Sequence, residues 1–206
     1  MRIKQFIISI AIFLYYFPSN AINTFRFRLS NIEYGKGLQT KGAIFVRARG
    51  KVLIGNNVRI NSSPFANPIG GNERTYFQIL PEGKLCIGNN TRLSNVSITC
   101  AKSICIGNNV RIGSGCCLFD TNFHSLHPHR RAHRSREIPE DVFSDSIKIG
   151  DYVFIGTRAI ILKGTKIGKN SIVGAGSVVS GVIPDNEIWA GNPAKLIRKL
   201  SPDEIV

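Results

Sequence analysis

Paired cysteines, acidic residues and long apolar runs are all scarce in this sequence. Its 206 residues include five cysteines and no C-x-x-C pair, which argues against both a disulfide framework and a thiolate zinc site. The cysteines are therefore expected to be small buried residues in a reducing compartment. With 43% apolar residues, the chain has enough apolar material for one folded domain.

The scarcity of acidic residues gives the chain a formal net charge of +14, from 27 basic and 13 acidic side chains. Such a charge predicts an anionic partner: nucleic acid, an acidic membrane surface or a phosphorylated ligand. No aromatic–basic platform or known nucleic-acid motif accompanies it, so nucleic acid is not the partner we predict.

No apolar run near the N-terminus is long enough to span a bilayer. Phe6 to Phe17 is a mostly apolar stretch of twelve residues between basic ones, whereas a spanning helix needs about 20. The segment of residues 1–28 is expected to be helical, and a helix that lies on a membrane surface is one interpretation of it. A secretory signal remains an alternative, and so does a helix packed on the domain or on a neighbouring subunit.

A repeat of six residues dominates the second half of the chain, where an aliphatic residue recurs at every sixth position. The recurring residues are Ile149, Ile155, Ile161, Ile167, Val173 and Val179. A small or polar residue usually follows each one. The same unit occurs upstream as an Ile-Gly-Asn-Asn sequence that begins at Ile54, Ile87 and Ile106.

A period of six fits neither an α-helix nor an ordinary hairpin. It predicts a solenoid whose coils have three short faces, with the aliphatic residue pointing inward and Gly or Asn turning each corner. Coils of about 18 residues would stack at the strand spacing of about 4.8 Å. We count roughly six coils between Ala43 and Val182. A β-sandwich with repeated turns explains the uninterrupted spacing poorly.

The repeat Ile149–Val179, followed by Trp189-Ala190-Gly191-Asn192-Pro193-Ala194-Lys195, resembles the hexapeptide-repeat acyltransferases. The closest groups are the maltose, galactoside and capsular-polysaccharide O-acetyltransferases. The resemblance implies an all-β solenoid, a left-handed parallel β-helix, assembled as a homotrimer. The family alone supplies the left hand, because periodicity carries none and parallel crossovers are normally right-handed. We further expect a short C-terminal helix over Ala194–Leu200 that caps the last coil.

These patterns divide the chain into three parts. Residues 1–34 form an apolar and basic N-terminal segment, residues 35–186 the β-helix, and residues 187–206 a C-terminal cap with a tail that binds CoA. Within the β-helix the six-step stops after Leu118 and restarts near Ile147, so 120–146 is expected to be a functional loop.

All four histidines of the chain lie in this loop: His124, His127, His129 and His133. Arg130, Arg131, Arg134 and Arg136 accompany them. The spacing of the histidines matches no standard zinc pattern, so we predict no metal site. His127, His129 and His133 are expected to be solvated loop residues.

His124 is the candidate general base, because the string Asp120-Thr121-Asn122-Phe123-His124 stands where similar O-acetyltransferases carry their catalytic histidine. A neutral imidazole can take the proton of a hydroxyl as that hydroxyl attacks a thioester. Asp120 is expected either to orient the imidazole or to form an Asx-turn that ends the coil. The resemblance implies that Asn95 and Asn122 contact the acceptor. An acidic acceptor-binding residue of the relatives is replaced here by Cys100 and Ala101.

The second substrate implied by the resemblance is acetyl-CoA, whose site needs cations for its phosphates and a groove with small walls for its pantetheine arm. Gly174, Ala175 and Gly176 supply small residues, and Thr157 follows a corner glycine where the relatives place a small residue on CoA. Lys195 and Arg198 match the family's phosphate-binding cations.

The implied function is transfer of an acetyl group to a hydroxyl of a sugar or glycan precursor in surface-polysaccharide biosynthesis. The basic loop suggests an anionic or lipid-linked acceptor. We expect the chain to work in the cytoplasm, with the inner face of the membrane as an open alternative. Two other functions remain open: N-acetylation of a sugar nucleotide, and a non-catalytic β-helix such as a carbonic-anhydrase-like scaffold or an assembly module.

Overall fold

The computed structural model describes residues 2–67, 69, 73–132 and 141–205. The chain begins with helix α1 (Arg2–Leu29) and then winds through short strands that stack coil upon coil. In the described ranges these strands form three sheets, each built from every third strand along the chain, apart from the last strand, β21, which joins the second sheet beside β20. Parallel pairing of strands that follow one another at this interval defines a parallel β-helix, as the repeat predicts.

The strands are numbered in chain order. The first sheet contains β1 (Glu33–Tyr34), β4 (Lys51–Ile54), β7 (Lys84–Ile87), β10 (Ser103–Ile106), β13 (Ile147–Ile149), β16 (Lys166–Ile167) and β19 (Val182–Ile183). The second contains β2 (Gln39–Lys41), β5 (Arg59–Asn61), β8 (Arg92–Ser94), β11 (Arg111–Ile112), β14 (Phe154–Ile155), β17 (Ile172–Val173), β20 (Glu187–Gly191) and β21 (Ala194–Lys199). The third contains β3 (Phe45–Ala48), β6 (Tyr76–Ile79), β9 (Ser97–Cys100), β12 (Cys117–Phe119), β15 (Ile160–Leu162) and β18 (Val178–Val179).

The core consists of aliphatic columns that run along the axis of the solenoid. One column pairs in register through six isoleucines: Ile54, Ile87, Ile106, Ile149, Ile167 and Ile183. Every residue of the predicted six-step from Ile149 to Val179 is also buried. Burial of each such side chain contributes about 1.5–3 kcal/mol, so the columns account for the stacking of the coils.

One set of corners is closed by a ladder of side-chain oxygens. Asn56 Oδ1 accepts from the backbone N–H of Lys36, and Asn89 Oδ1 accepts from that of Asn56, at 2.8 and 2.7 Å. Asn108 and Asp151 continue the ladder in the next coils. The second asparagine of each Ile-Gly-Asn-Asn corner adopts a positive φ between 55° and 57°, a conformation that asparagine tolerates well.

Two segments interrupt the regular coils. Residues 62–75 separate β5 from β6, and residues 120–146 separate β12 from β13. The strands resume in register after both, because Val46 pairs with Phe77 and Ile104 with Ile147. The insertions therefore project from the solenoid without shifting its core.

Helix α1 covers the N-terminal end of the β-helix with one side of its C-terminal half. Tyr16, Asn23 and Phe27 lie on that side and are buried. Asn23 donates through Nδ2 to Gly42 O at 2.9 Å and accepts from Ile44 N at 2.8 Å. No helix within the described ranges combines the length and the apolar content that a bilayer crossing requires.

The prediction of a C-terminal helix over Ala194–Leu200 is wrong. The chain reverses at Gly191, which has a φ of +103°, and Ala194–Lys199 returns as β21, antiparallel to β20. The physical reason is the open edge of β20, whose unpaired backbone groups a returning strand can satisfy and a helix cannot. A 3-10 helix follows at Pro202–Glu204.

We predict that Asn23→Ala lowers the free energy of unfolding by about 1–3 kcal/mol, because the Ile44 N–H and the Gly42 carbonyl would lose their buried partner. Thr24→Ala is the matched control on the same helix, since Thr24 is exposed and donates only to Asn20 O; its effect should stay within about 0.5 kcal/mol. Urea denaturation measures both. Equal midpoints for the two variants would contradict the role of Asn23 in holding α1.

Candidate active site

The 120–146 loop leaves the solenoid through two paired segments, residues 120–122 and 143–145, which we call the neck. Its two ends are joined by backbone hydrogen bonds from Asp145 N to Asp120 O at 2.8 Å and from Asn122 N to Phe143 O at 3.0 Å. An isolated antiparallel bridge pairs Thr121 with Ser144 between them. The neck fixes the chain two residues before His124.

The Asp120 carboxylate is fully buried and binds the preceding coil. Its Oδ1 accepts from Ala101 N at 2.6 Å, and its Oδ2 accepts from Lys102 N and Ser103 N at 2.9 and 2.8 Å. The Cys100 thiol also donates to Oδ2, at 3.5 Å. Burial, and then the nearby carboxylate, raise the pKa of Cys100, so the thiol stays protonated as a donor.

All four donors come from residues 100–103, so the Asp120 side chain does not form the Asx-turn that was one of its two predicted roles. The other role, orienting the imidazole of His124, stays a prediction. Asp120 ties the root of the loop to the turn at 100–103 of the coil before it. No feature of the local sequence indicates this partner, because the two segments meet only when the coils stack.

Phe123 turns the chain immediately before His124. It has a φ of +65°, an uncommon conformation for an aromatic residue. Its ring packs edge to face on Phe119, with ring centroids 5.1 Å apart, and its backbone N–H donates to Thr121 Oγ1 at 3.2 Å. These contacts hold the backbone that carries His124, whose side chain is exposed.

The distal part of the loop is stabilised by arginines. Helix α2 (Pro128–Arg131) carries Arg131, whose Nη1 donates to the carbonyl of the buried Ser125 at 2.9 Å, and Arg130, which pairs with Asp141. His127 and His129 are exposed here. His133, Arg134 and Arg136 lie outside the described residues. Within the part of the chain that the structure describes, no three metal-ligating side chains are grouped to hold an ion.

A cleft of about 880 Å³ lies between the loop and the third sheet. One wall is apolar and includes Leu80, Pro81, Phe123 and Phe143. Polar side chains line the rest: Gln78, Glu82, Thr99, Lys102, Thr121 and Ser144. An aromatic wall beside hydrogen-bonding groups is suited to a sugar ring, which has apolar faces and polar edges.

The rim of this cleft carries an ion pair that the sequence did not reveal. Lys102 Nζ lies 3.1 Å from Asp145 Oδ1, and this hydrogen bond holds the pKa of the Asp145 carboxyl below its usual value. Lys163 Nζ lies 5.7 Å from the centre of the Phe143 ring. A lysine 43 positions away from its partner Asp145 gives no local pattern, so only the fold could identify this pair.

Of the predicted acceptor contacts, Asn95 lies inside the solenoid. It is 1% exposed, its Oδ1 accepts from Ser63 N at 3.0 Å and its Nδ2 donates to Ser114 Oγ at 3.1 Å. These bonds hold the amide at its corner, and an acceptor at Asn95 would have to displace one of them, so its contact with the acceptor stays a prediction. Asn122 is half-buried in the neck, beside the cleft.

Of the residues predicted on the CoA side, Thr157 and Gly174–Gly176 lie along one edge of the solenoid, where the second sheet turns into the third. Thr157 and the Gly174–Gly176 segment occupy the same corner in successive coils, since Gly176 N donates to Thr157 O at 2.8 Å. Gly176 has a φ of +69°, and the space where a Cβ would stand is open. This edge therefore exposes backbone along a narrow path.

Strand β21 brings Lys195 beside this edge, whereas Arg198 lies farther back along β20, opposite Ile188. Lys195 is exposed and pairs with Ala190, in the coil directly after Gly174. Arg198 holds Glu204 through two bonds of 2.7 and 2.8 Å, and the first cause of the low pKa of Glu204, about 2, is this guanidinium. A phosphate at Arg198 would have to compete with Glu204.

The candidate base and the CoA-side residues lie at opposite ends of the strands of the third sheet. Thr157 precedes β15 and Gly174–Gly176 precede β18, whereas His124 follows β12. From Gly115 to Asp120 an extended chain spans on the order of 15 Å. One chain therefore does not place its own base beside its own small-residue edge.

Part of the repeat matches a known protein family. Residues 146–181 match the family model described as bacterial transferase hexapeptide (six repeats). WbbJ of Escherichia coli (strain K12), provisionally named a lipopolysaccharide biosynthesis O-acetyl transferase, is 36% identical over 121 residues, which are 57% of this chain and 61% of that protein.

Two solved structures are also similar. The hexapeptide-repeat-containing acetyltransferase of Vibrio cholerae O1 biovar eltor, complexed with acetyl coenzyme A, is 32% identical with a TM-score of 0.50, over 57% of this chain and 61% of that one. A galactoside acetyltransferase in complex with coenzyme A is 34% identical with a TM-score of 0.51, over 58% and 57%. This chain thus spans less than two thirds of each relative. The resemblance is confirmed: the chain carries the bacterial transferase hexapeptide repeat and is similar to the hexapeptide-repeat acetyltransferases.

Proposed function

We propose that this protein transfers an acetyl group from acetyl-CoA to a hydroxyl of a sugar or glycan precursor in surface-polysaccharide biosynthesis. The observation that carries the proposal is the loop of 120–146, whose two ends are bonded to each other where it leaves the hexapeptide-repeat solenoid, and whose Phe123, the residue before His124, lines a cleft together with Phe143. Similarity to acetyltransferases that bind acetyl-CoA or CoA supports the donor.

In the proposed reaction the His124 imidazole takes the acceptor hydroxyl proton as the oxygen attacks the thioester carbonyl carbon. The carbon–oxygen bond forms, and a tetrahedral oxyanion develops that a backbone N–H stabilises. The intermediate collapses with cleavage of the carbon–sulfur bond, and the imidazolium returns the proton to the departing CoA sulfur. The acetyl ester and free CoA thiol balance the step.

The edge formed by Thr157, Gly174, Ala175 and Gly176 fits the donor, because its exposed backbone and open space at Gly176 allow a thin pantetheine chain to lie close. Lys195 supplies an exposed cation for a phosphate at the end of this edge. Arg198 becomes a second phosphate ligand when it exchanges Glu204 for the phosphate.

We further propose a homotrimer of left-handed β-helices, as the resemblance implies. The base and the CoA edge stand at opposite ends of the strands of one chain's third sheet, so a neighbouring copy is needed to bring the two together. The acceptor is proposed to be anionic or lipid-linked, on account of the basic loop, and to contact Asn122 at the neck. The site of action is proposed to be the cytoplasm.

We predict that His124→Ala lowers turnover by about 10²–10⁴-fold, the typical contribution of a general base. The KM for acetyl-CoA should change little, because the imidazole acts on the acceptor proton. Release of CoA thiol, followed with a panel of sugars and amino sugars, measures both quantities and separates hydroxyl from amine acceptors. His127→Ala and His129→Ala are the controls; loss of turnover in either, with a wild-type rate in His124→Ala, would place the base elsewhere.

Lys195→Ala provides the opposite contrast to His124→Ala in the same assay. Its charge meets a phosphate that is remote from the reacting carbon, so the KM for acetyl-CoA should rise while kcat stays near wild type. A fall in kcat with an unchanged KM would remove Lys195 from the donor site and leave the proposal for His124 intact.

We predict that Asp120→Asn lowers the free energy of unfolding by about 1–3 kcal/mol, because an NH₂ group would face a backbone donor of the turn at 100–103. Asp151→Asn is the matched control, since asparagine already occupies the same ladder position in Asn89 and Asn108, and its effect should stay within about 0.5 kcal/mol. Denaturant midpoints test this. If both variants matched wild type, Asp120 would not anchor the loop.

Light scattering of the active protein should give a mass of three times 22.7 kDa, because the proposed site needs two copies of the chain. Dilution that dissociates the assembly should abolish CoA release in parallel. A monomer that retained full turnover would contradict the shared site.

A further inference from the structure

Helix α1 has a second face that the fold does not use. Leu14, Pro18, Ile22, Phe25 and Leu29 follow one another at intervals of four, four, three and four residues, the spacing of a single stripe on a helix. The four large side chains of this stripe are 63%, 44%, 67% and 74% exposed, in that order. We call these five residues the outer stripe.

The orientation of the outer stripe is fixed by the docked side of the helix. Tyr16, Asn23 and Phe27 are 8%, 2% and 2% exposed against the β-helix, and Asn23 holds two backbone groups there. At about 100° per residue, the outer stripe lies on the opposite side from these three residues. Because the docked residues fix the rotation of the helix about its axis, the outer stripe faces away from its own domain.

Arginines flank the outer stripe on both sides. Arg26 follows Phe25 and Arg28 precedes Leu29, so each is displaced from the stripe by about 100°, in opposite directions. Arg28 is exposed, whereas Arg26 is half-buried and also donates to Ile44 O at 2.5 Å. The sequence of α1 contains no aspartate or glutamate.

We propose that the outer stripe lies in the headgroup–acyl boundary of an anionic membrane, with α1 parallel to the surface and Arg28, aided by Arg26, on lipid phosphates. An apolar stripe with a cationic rim is the pattern of a helix that lies in an interface. This site is independent of acetyl transfer, because it rests on α1 alone and shares no residue with the loop or the CoA edge.

Charge favours lipid over a second copy of the chain. Two copies that packed stripe to stripe would bring their arginine rims together, and α1 has no carboxylate to pair with them. Anionic headgroups provide the missing negative charge, at about 1 kcal/mol per basic residue near the surface. The net charge of +14 acts in the same direction.

Co-sedimentation of the full chain with vesicles tests the proposal. Vesicles of phosphatidylcholine and phosphatidylglycerol should bind the protein, pure phosphatidylcholine vesicles should bind it much less, and added salt should weaken binding. The double variant Phe25→Ser/Leu29→Ser should bind more than about tenfold more weakly, since each change removes a buried apolar side chain. Arg28→Glu should also weaken binding, by reversing the charge of the rim.

Val182→Ser is the matched control, because Val182 is 61% exposed on β19, towards the other end of the solenoid. It should bind vesicles as wild type does. His124→Ala should also bind as wild type, which separates the membrane proposal from the proposed reaction.

Several results would overturn the membrane proposal. One is equal sedimentation of wild type and the double variant when both share a wild-type denaturation midpoint. A second is equal binding to the neutral and anionic vesicles. The third is a wild-type protein that binds neither kind of vesicle, together with a lower mass of the double variant in light scattering. The stripe would then bind a second copy of the chain.

Discussion

Everything else in this structure depends on the in-register stacking of aliphatic residues from coil to coil. The isoleucine column from Ile54 to Ile183 has no polar member, and each of its residues is at most 4% exposed. Because a shift of one residue would turn every inward side chain to the surface, the columns fix the register of all three sheets. Corners, insertions and exposed edges then take their positions from this register.

Stable stacking makes long insertions tolerable. Ile104 pairs with Ile147 although 43 residues separate them, so the whole loop departs and returns between adjacent strands. The buried Asp120 carboxylate ties the departing chain to the turn at 100–103. The start of the loop is thereby held in a fixed position, which is the condition for a loop residue such as His124 to act at a defined place.

The same geometry explains why the proposed site needs two copies of the chain. Strands of the third sheet begin at the Thr157 and Ala175 corner and end where the 120–146 loop departs. The length of the strands separates these two corners, so they remain apart however the side chains are arranged. Neighbouring solenoids with parallel axes would solve the problem, because the edge of one can face the loop of the next.

The sequence by itself determined the features that repeat. The six-residue spacing predicted the inward residues from Ile149 to Val179, the Gly-Asn corners and the stretch where the coils are interrupted, because each of these follows from local backbone period and turn chemistry. The apolar N-terminus likewise indicated a helix, and its composition left open which side would be covered.

Only the tertiary structure decided the features that join distant coils. Ala194–Lys199 is a strand because β20 offers an open edge, and Asp120 is a buried anchor because the turn at 100–103 stacks beneath it. Lys102 meets Asp145, and Asn95 is enclosed, for the same reason. Periodicity describes one coil at a time, whereas these contacts depend on which residues of neighbouring coils come to lie side by side.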